Sequence, residues 1–214
     1  FGAVKRSEVA SAILKNIDTS KAKALPGVVA VLTHKDIPGG NRIGIIIKDE
    51  PVLVDDEIRR IGDALAVVAA ETQEIAEEAL KLIEVDYEEM EPILSFEDAL
   101  KEGAHILHGN SNVLNKKQLV KGDVDKAFEE CDIIVENTYT TGYYAHMYIE
   151  AEAGIAKYEN GIMNVWCSTQ NPHFDRGEVA RMLAMPQNKV RVIQVTTGGG
   201  FGGKLDIGIQ CHAA

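Results

Sequence analysis

The densest chemical signal in the chain is Gly198-Gly199-Gly200-Phe201-Gly202-Gly203-Lys204, which holds five of its 19 glycines. Backbone N–H groups can converge in such a stretch with no Cβ in the way, and that arrangement invites an anionic ligand. Gly198-x-Gly200-x-x-Gly203 fits the dinucleotide-binding fingerprint, and Gly198-x-x-x-x-Gly203-Lys204 fits most of a P-loop. Leu205, however, stands where a P-loop needs Ser or Thr to hold Mg²⁺. The dinucleotide motif normally opens a βαβ unit with an acidic residue beyond the next strand, and these residues end before that strand would come. A third reading is a glycine-rich corner for close strand–helix packing.

Other side chains could also do chemistry. His146, beside Met147, Tyr148 and Ile149, suits either an acid–base role or a satisfied core position. Glu150 and Glu152 share one strand face, although paired carboxylates alone define no site. Gln170 follows Trp166-Cys167-Ser168-Thr169, where backbone groups commonly satisfy an amide side chain. Arg176 and Arg181 read as surface or ion-pairing residues of a helix. Cys131, Cys167 and Cys211 are odd in number, far apart and without a Cys-x-x-Cys. They argue against a zinc or iron–sulfur site within the chain and favour a reducing, cytoplasmic setting over a disulfide scaffold.

The elements that must position these residues follow from periodicity. Ser7–Ile17 carries apolar residues at helical spacing behind a capping serine, so a helix is expected. Val28–Leu32 and Ala64–Ala70 are buried strands, and Pro51–Val54 is a short extended piece. Thr72–Ile83 is a capped amphipathic helix, after which Ile83, Val85 and Tyr87 alternate with acidic residues as a half-exposed strand. Strand, helix and strand in this order form an α/β unit. The acidic run Glu71–Glu91 is the solvated face of that helix and strand. Ser95–Glu102 is a short helix, and Gly109–Gln118 is polar and turn-rich.

Beyond it, Asp123–Cys131 is expected as a helix with Val124, Ala127 and Phe128 facing inward, and Asp132–Thr141 as a strand. Glu152–Tyr158 and Ile162–Cys167 flank Asn160-Gly161 as a hairpin. Asn171–Leu183 is a helix with Pro172 in its first turn, Lys189–Thr196 a strand, and Asp206–Ala214 the opening of another helix. The fold class is α/β in its first part and α+β overall. The expected domains are 1–108 and 121–214, joined by a linker at 109–120.

The 214 residues carry 22 Lys+Arg and 33 Asp+Glu, a net charge of −11. That acidity argues against broad nucleic-acid binding. No run of about 20 apolar residues offers a membrane span. Residues 1–6 lack both a Met and an apolar signal core, so the chain is expected to be a piece of a longer polypeptide.

Taken in order, Trp166-Cys167-Ser168-Thr169-Gln170-Asn171, a helix, the Lys189–Ile193 strand and Gly198–Lys204 resemble the molybdenum hydroxylases, the xanthine dehydrogenase and aldehyde oxidoreductase family. Lys121–Phe128 with Val135-Glu136 is similar to the start of that family's molybdopterin-binding domain, and His146 with Ile149-Glu150 to its His…Leu-Glu segment. Leu25-Pro26-Gly27-Val28, Arg60-Ile61-Gly62-Asp63 and Ile83–Glu88 resemble its hammerhead-like α/β domain.

The resemblance implies hydroxylation of a carbon centre with water-derived oxygen, on an aldehyde, a purine or another N-heteroaromatic. It implies a molybdenum–molybdopterin cofactor with no covalent metal ligand from the protein. Iron–sulfur clusters and FAD would reside on other subunits or regions, within an oligomeric, cytoplasmic enzyme that acts on a small molecule. It implies that Gln170 reaches the apical oxo ligand and that Gly199, Gly200, Phe201 and Gly202 line the cofactor with backbone N–H groups. Phe201 would add an apolar wall, and Lys204 would meet a phosphate or cap local carbonyls. Purine-oxidising members have a glutamate after the motif lysine; Leu205 replaces it here, which disfavours purines. The family's catalytic glutamate has no counterpart in these residues, so the chain alone is expected to be inactive. A nucleotide-binding module and a non-catalytic assembly domain are the other readings.

Overall fold

The computed structural model describes all 214 residues. The first part of the chain contains β1 (Gly2–Arg6), β2 (Ala12–Asp18), α1 (Ser20–Lys23), β3 (Val28–Leu32), β4 (Arg42–Ile43), β5 (Glu50–Pro51), β6 (Glu57–Ile58), β7 (Ala64–Ala70), α2 (Gln73–Lys81) and β8 (Glu84–Glu89). Two antiparallel sheets result, in the orders β1-β7-β3 and β6-β2-β8, with β4-β5 as a small ribbon. β7 is the centre of its sheet, which explains its unbroken apolar run. Thr72 starts α2 by accepting a hydrogen bond from the Ile75 N–H at 3.2 Å. Ala76 and Ala79 of α2 pack with Val31, Ala66, Val68 and Ala70 of the sheet, leaving the helix's glutamates in solvent.

The second part contains α3 (Phe96–Ala99), α4 (Val124–Glu130), β9 (Gly154–Glu159), β10 (Ile162–Cys167), α5 (Pro172–Met182), β11 (Val190–Gln194) and α6 (Gln210–Ala213). β9 and β10 form the hairpin around Asn160-Gly161, both with positive φ (53° and 75°), as the twist of such a turn requires. α5 is the crossover that lets β11 pair in parallel with β10. Val179, Ala180 and Met182 of α5 enter a core with Val165, Cys167 and Val190.

That core is shared by the two parts. Ile43, Val52, Leu53 and Ala64 belong to the same buried cluster as Val165, Val179 and Cys211. Gly40 donates to the Arg181 carbonyl at 3.0 Å, His212 Nε2 meets the Val52 carbonyl at 2.9 Å, and Lys48 pairs with the buried Glu178. Gly39 makes the approach possible, because a Cβ there would lie 2.1 Å from the Arg181 carbonyl oxygen.

Four expectations are corrected. Ser7–Ile17 is not a helix: residues 12–18 form β2. A register shift between Leu14 and Asn16 turns Ile17 onto the face used by Ala12 and Leu14, so a bulged strand imitates helical spacing. Asp132–Thr141 is not a strand, because Ile133, Val135 and Tyr139 are solvent-exposed and find no pairing partner within the 214 residues. α4 forms, but Val124 and Phe128 are exposed rather than inward. The terminal helix is confined to Gln210–Ala213. β1 is an addition that periodicity does not announce, being five residues with two cations at its end.

Candidate functional site

The end of β10 carries the chain into Ser168-Thr169-Gln170, and hydrogen bonds from β11 and its exit hold this extension. Val195 N–H reaches the Cys167 carbonyl at 3.0 Å, and Gln194 Nε2 the Thr169 carbonyl at 2.8 Å. Gln170 then meets the glycine segment on both main chain and side chain. Its N–H donates to the Lys204 carbonyl at 2.9 Å. Its Oε1 accepts from the N–H groups of Gly202 (3.0 Å) and Lys204 (3.2 Å). Both neighbours are donors, so the amide oxygen must face them. Nε2 is left without a protein partner on an exposed side chain. A Cβ at Gly200 would come within 2.4 Å of Gln170 Oε1, so only glycine lets the side chain lie there.

The loop's own backbone is sharply turned. φ is positive at Gly199 (106°), Phe201 (52°) and Gly202 (93°), and Gly203 N–H closes onto the Gly200 carbonyl at 2.7 Å. The N–H groups of Gly199, Gly200 and Phe201 have no protein acceptor, although Gly200 is buried. An unpaired donor at a buried residue such as Gly200 calls for an external acceptor, and its two neighbours add further free donors beside it. The Gly202 N–H, in contrast, is committed to Gln170. The Phe201 ring lies against Gly199 and is 74% exposed, in a left-handed conformation that a bulky residue seldom adopts.

Residues 146–150 support the loop from its other side. Tyr148 and His146 pack on Gly203, where a Cβ would be 2.8 Å from Tyr148 Cε1 and 2.9 Å from His146 Cγ. Glu150 Oε2 accepts from the Gly198 N–H at 2.7 Å and pairs with Lys204 Nζ at 2.7 Å. Lys204 first, then the Gly198 N–H, hold the Glu150 carboxyl below its ordinary range. Glu152 accepts from the Tyr148 hydroxyl at 3.2 Å and lies against Gly208. The two glutamates are therefore structural supports of separate segments. Arg181 pairs with Glu178 at 2.7 Å on α5.

Lys204 is neither at a phosphate nor in solvent: its ammonium is buried and fully engaged. The segment after it does not enter a helix until Gln210, so no P-loop or dinucleotide turn is formed. The pairing of Lys204 with Glu150 has no signature in the sequence, since the two are 54 positions apart. Beneath Thr169, Asp175 is fully buried with its Oδ2 3.3 Å from Gln210 Nε2, and burial pushes its carboxyl up to about 6. Burial also raises the Cys167 thiol to about 11 and the Cys211 thiol to about 12, so both are inert thiols. No three His, Cys, Asp or Glu side chains converge as a ligand cluster. What the site offers is a set of N–H donors without protein acceptors near Gln170.

Residues 106–214 match the family model of the molybdopterin cofactor-binding domain, and residues 1–91 that of the aldehyde oxidase and xanthine dehydrogenase a/b hammerhead domain. The nicotinate dehydrogenase large molybdopterin subunit of Eubacterium barkeri is 56% identical over 100% of this chain and 51% of its own length. A probable xanthine dehydrogenase subunit of Bacillus subtilis is 44% identical over 100% of the chain and 29% of its own. The solved aldehyde oxidoreductase of Desulfovibrio gigas superposes with a TM-score of 0.94 at 30% identity, over 100% of this chain and 25% of that one. The chain thus spans about half the length, or less, of the relatives it matches.

Proposed function

This chain belongs to the molybdenum hydroxylase family, and we propose that its Gln170 and Gly199–Phe201 hold the metal end of a molybdenum–molybdopterin cofactor in an enzyme that hydroxylates an N-heteroaromatic substrate. One observation carries the reading. Gln170 Oε1 is pinned by the Gly202 and Lys204 N–H groups, which leaves Nε2 and three successive backbone N–H groups unpaired beside one another. An oxygen-rich, anionic group suits that donor set, and a metal that takes no ligand from the protein suits the lack of a ligand cluster.

When bound, the cofactor supplies the two-electron oxidation and the water-derived oxygen. The chain's residues bind and orient. Gln170 donates through Nε2, and rotation of its amide would put NH₂ against two N–H donors, so the donor direction is fixed. The N–H groups of Gly199, Gly200 and Phe201 add positive edges without adding charge. The Phe201 ring, largely exposed in the free chain, would form an apolar wall on one side of the bound group. No carboxylate here serves as a general base: Glu150 is ion-paired, Glu152 supports Gly208, and Asp175 is fully buried. The family resemblance supports a general base outside residues 1–214, and no turnover is expected from these residues alone.

The 56% identity to the nicotinate dehydrogenase subunit supports an N-heteroaromatic substrate. Leu205, partly exposed next to the loop, cannot hydrogen-bond a purine ring. Iron–sulfur and flavin centres on partner subunits or other regions would carry the electrons away.

The test is to purify the complete protein, measure molybdenum and pterin, and assay nicotinate, xanthine and an aldehyde. Stoichiometric molybdenum with turnover of nicotinate is expected. A metal-free protein, or one that prefers xanthine, would contradict the proposal.

A further inference from the structure

The largest fully buried side chain in the molecule is Lys204, at 1% exposure. A buried ammonium is costly unless it is paired and all its hydrogens are satisfied. Here Nζ lies 2.7 Å from Glu150 Oε2, 3.2 Å from the Glu150 carbonyl and 3.0 Å from Ser168 Oγ. The Tyr148 ring covers it, with the centroid 4.6 Å away. Three donors thus have three oxygen acceptors, plus an aromatic face.

The same carboxylate oxygen, Glu150 Oε2, takes the N–H of Gly198 at 2.7 Å. One oxygen therefore ties the first residue of the glycine loop to its last. Ser168, the third party, stands two residues before Gln170. The start of the loop, its end and the strand end bearing Gln170 all meet at a single ion pair.

We propose that Lys204 and Glu150 form a clamp that sets the width of the 198–204 loop and its height over Gln170. The clamp aims the N–H groups of Gly199–Phe201 and Gln170 Nε2 at one ligand. Lys204 is a positioning residue: it touches no ligand and acts through the main chain. The inference rests on the cofactor reading above and adds to it what shapes the site.

The experiment compares Lys204→Met, Glu150→Gln and the double variant in the complete protein. Each is scored by melting temperature, by molybdenum retained per folded chain after dialysis, and by kcat and KM. Glu150→Gln leaves a buried ammonium without its counter-charge and is expected to lose more stability than Lys204→Met, which leaves a partly exposed carboxylate still bonded to the Gly198 N–H. The double variant holds no buried charge, and such replacements commonly restore stability. Its loop remains untied, so it is expected to melt near the wild type yet retain less molybdenum, with kcat reduced about tenfold or more and KM little changed. A double variant that recovers melting temperature, molybdenum and kcat together would overturn the clamp and reduce the pair to a stabilising contact. Gly200→Ala runs beside it as a control. If Gly200→Ala loses molybdenum while the double variant keeps it, only the clamp fails. If wild type holds none, or Gly200→Ala keeps it all, the cofactor reading fails.

Discussion

Gln170 Oε1 lies 3.0 Å from the backbone nitrogen of Gly202, and this one hydrogen bond fixes which end of the amide is left to donate. The relationship joins residues 32 positions apart, and it turns a generic glycine loop into a directed site.

Gln170→Glu separates the two ends of that amide. A carboxylate still accepts from Gly202 and Lys204, and more strongly than the amide does. The donor is lost and a charge appears. Steady-state kinetics should show kcat reduced on the order of 10²–10³-fold, by analogy with removing one donor to developing charge. Melting temperature should hold. Unchanged kcat would remove Gln170 from the chemistry.

Gly200→Ala should act through Gln170. The new Cβ would meet Oε1 at 2.4 Å, so the side chain must leave, stranding the Gly202 and Lys204 N–H groups. The stability cost is about 1 kcal/mol by denaturant melt. Turnover should fall more than tenfold, because displacement of a positioning group by about 1 Å can cost 10²-fold.

Phe201 carries backbone strain at φ 52°. Phe201→Gly should relieve it, raising stability by roughly 0.5–1 kcal/mol, while opening the site to water and lowering kcat. A variant that loses both stability and activity would show that the ring has a packing role instead.

Asp175 makes stability depend on pH. Burial raises its carboxyl from 3.8 to about 6 in the fold, so the folded state holds the proton more tightly than the unfolded chain does. Its contribution is fully present below pH 3.8 and is lost as pH rises through about 6. Asp175→Asn removes that loss. Thermal melts should show the variant gaining on the wild type between pH 4 and 7; parallel curves would contradict the assignment.

Gly39→Ala tests the shared core. The added methyl would strike the Arg181 and Met182 carbonyls at 2.1 and 2.7 Å, and backbone cannot step aside as a side chain can. A loss of roughly 1–3 kcal/mol in a urea melt is expected, with no dependence on molybdenum loading.

Much of the fold is legible in the residues. β3, β7, α2, β8, the β9–β10 hairpin, α5 and β11 follow from periodicity, capping and the Asn160-Gly161 turn, all of them local signals. What escapes depends on partners. The bulge near Asn16 disguises β2, and Ile133 and Val135 alternate like strand residues without a neighbour to pair with. The site divides in the same way. Gln170 and the glycine loop stand out by their motif context, whereas the burial of Lys204 against Glu150, Ser168 and Tyr148 exists only in three dimensions.

The most direct test is crystallographic: anomalous diffraction across the molybdenum edge from the complete, cofactor-loaded protein. The metal's anomalous peak is expected beside Gln170 Nε2 and the N–H groups of Gly199–Phe201. A peak elsewhere, with Gln170 and these N–H groups facing solvent, would contradict a cofactor held by this loop.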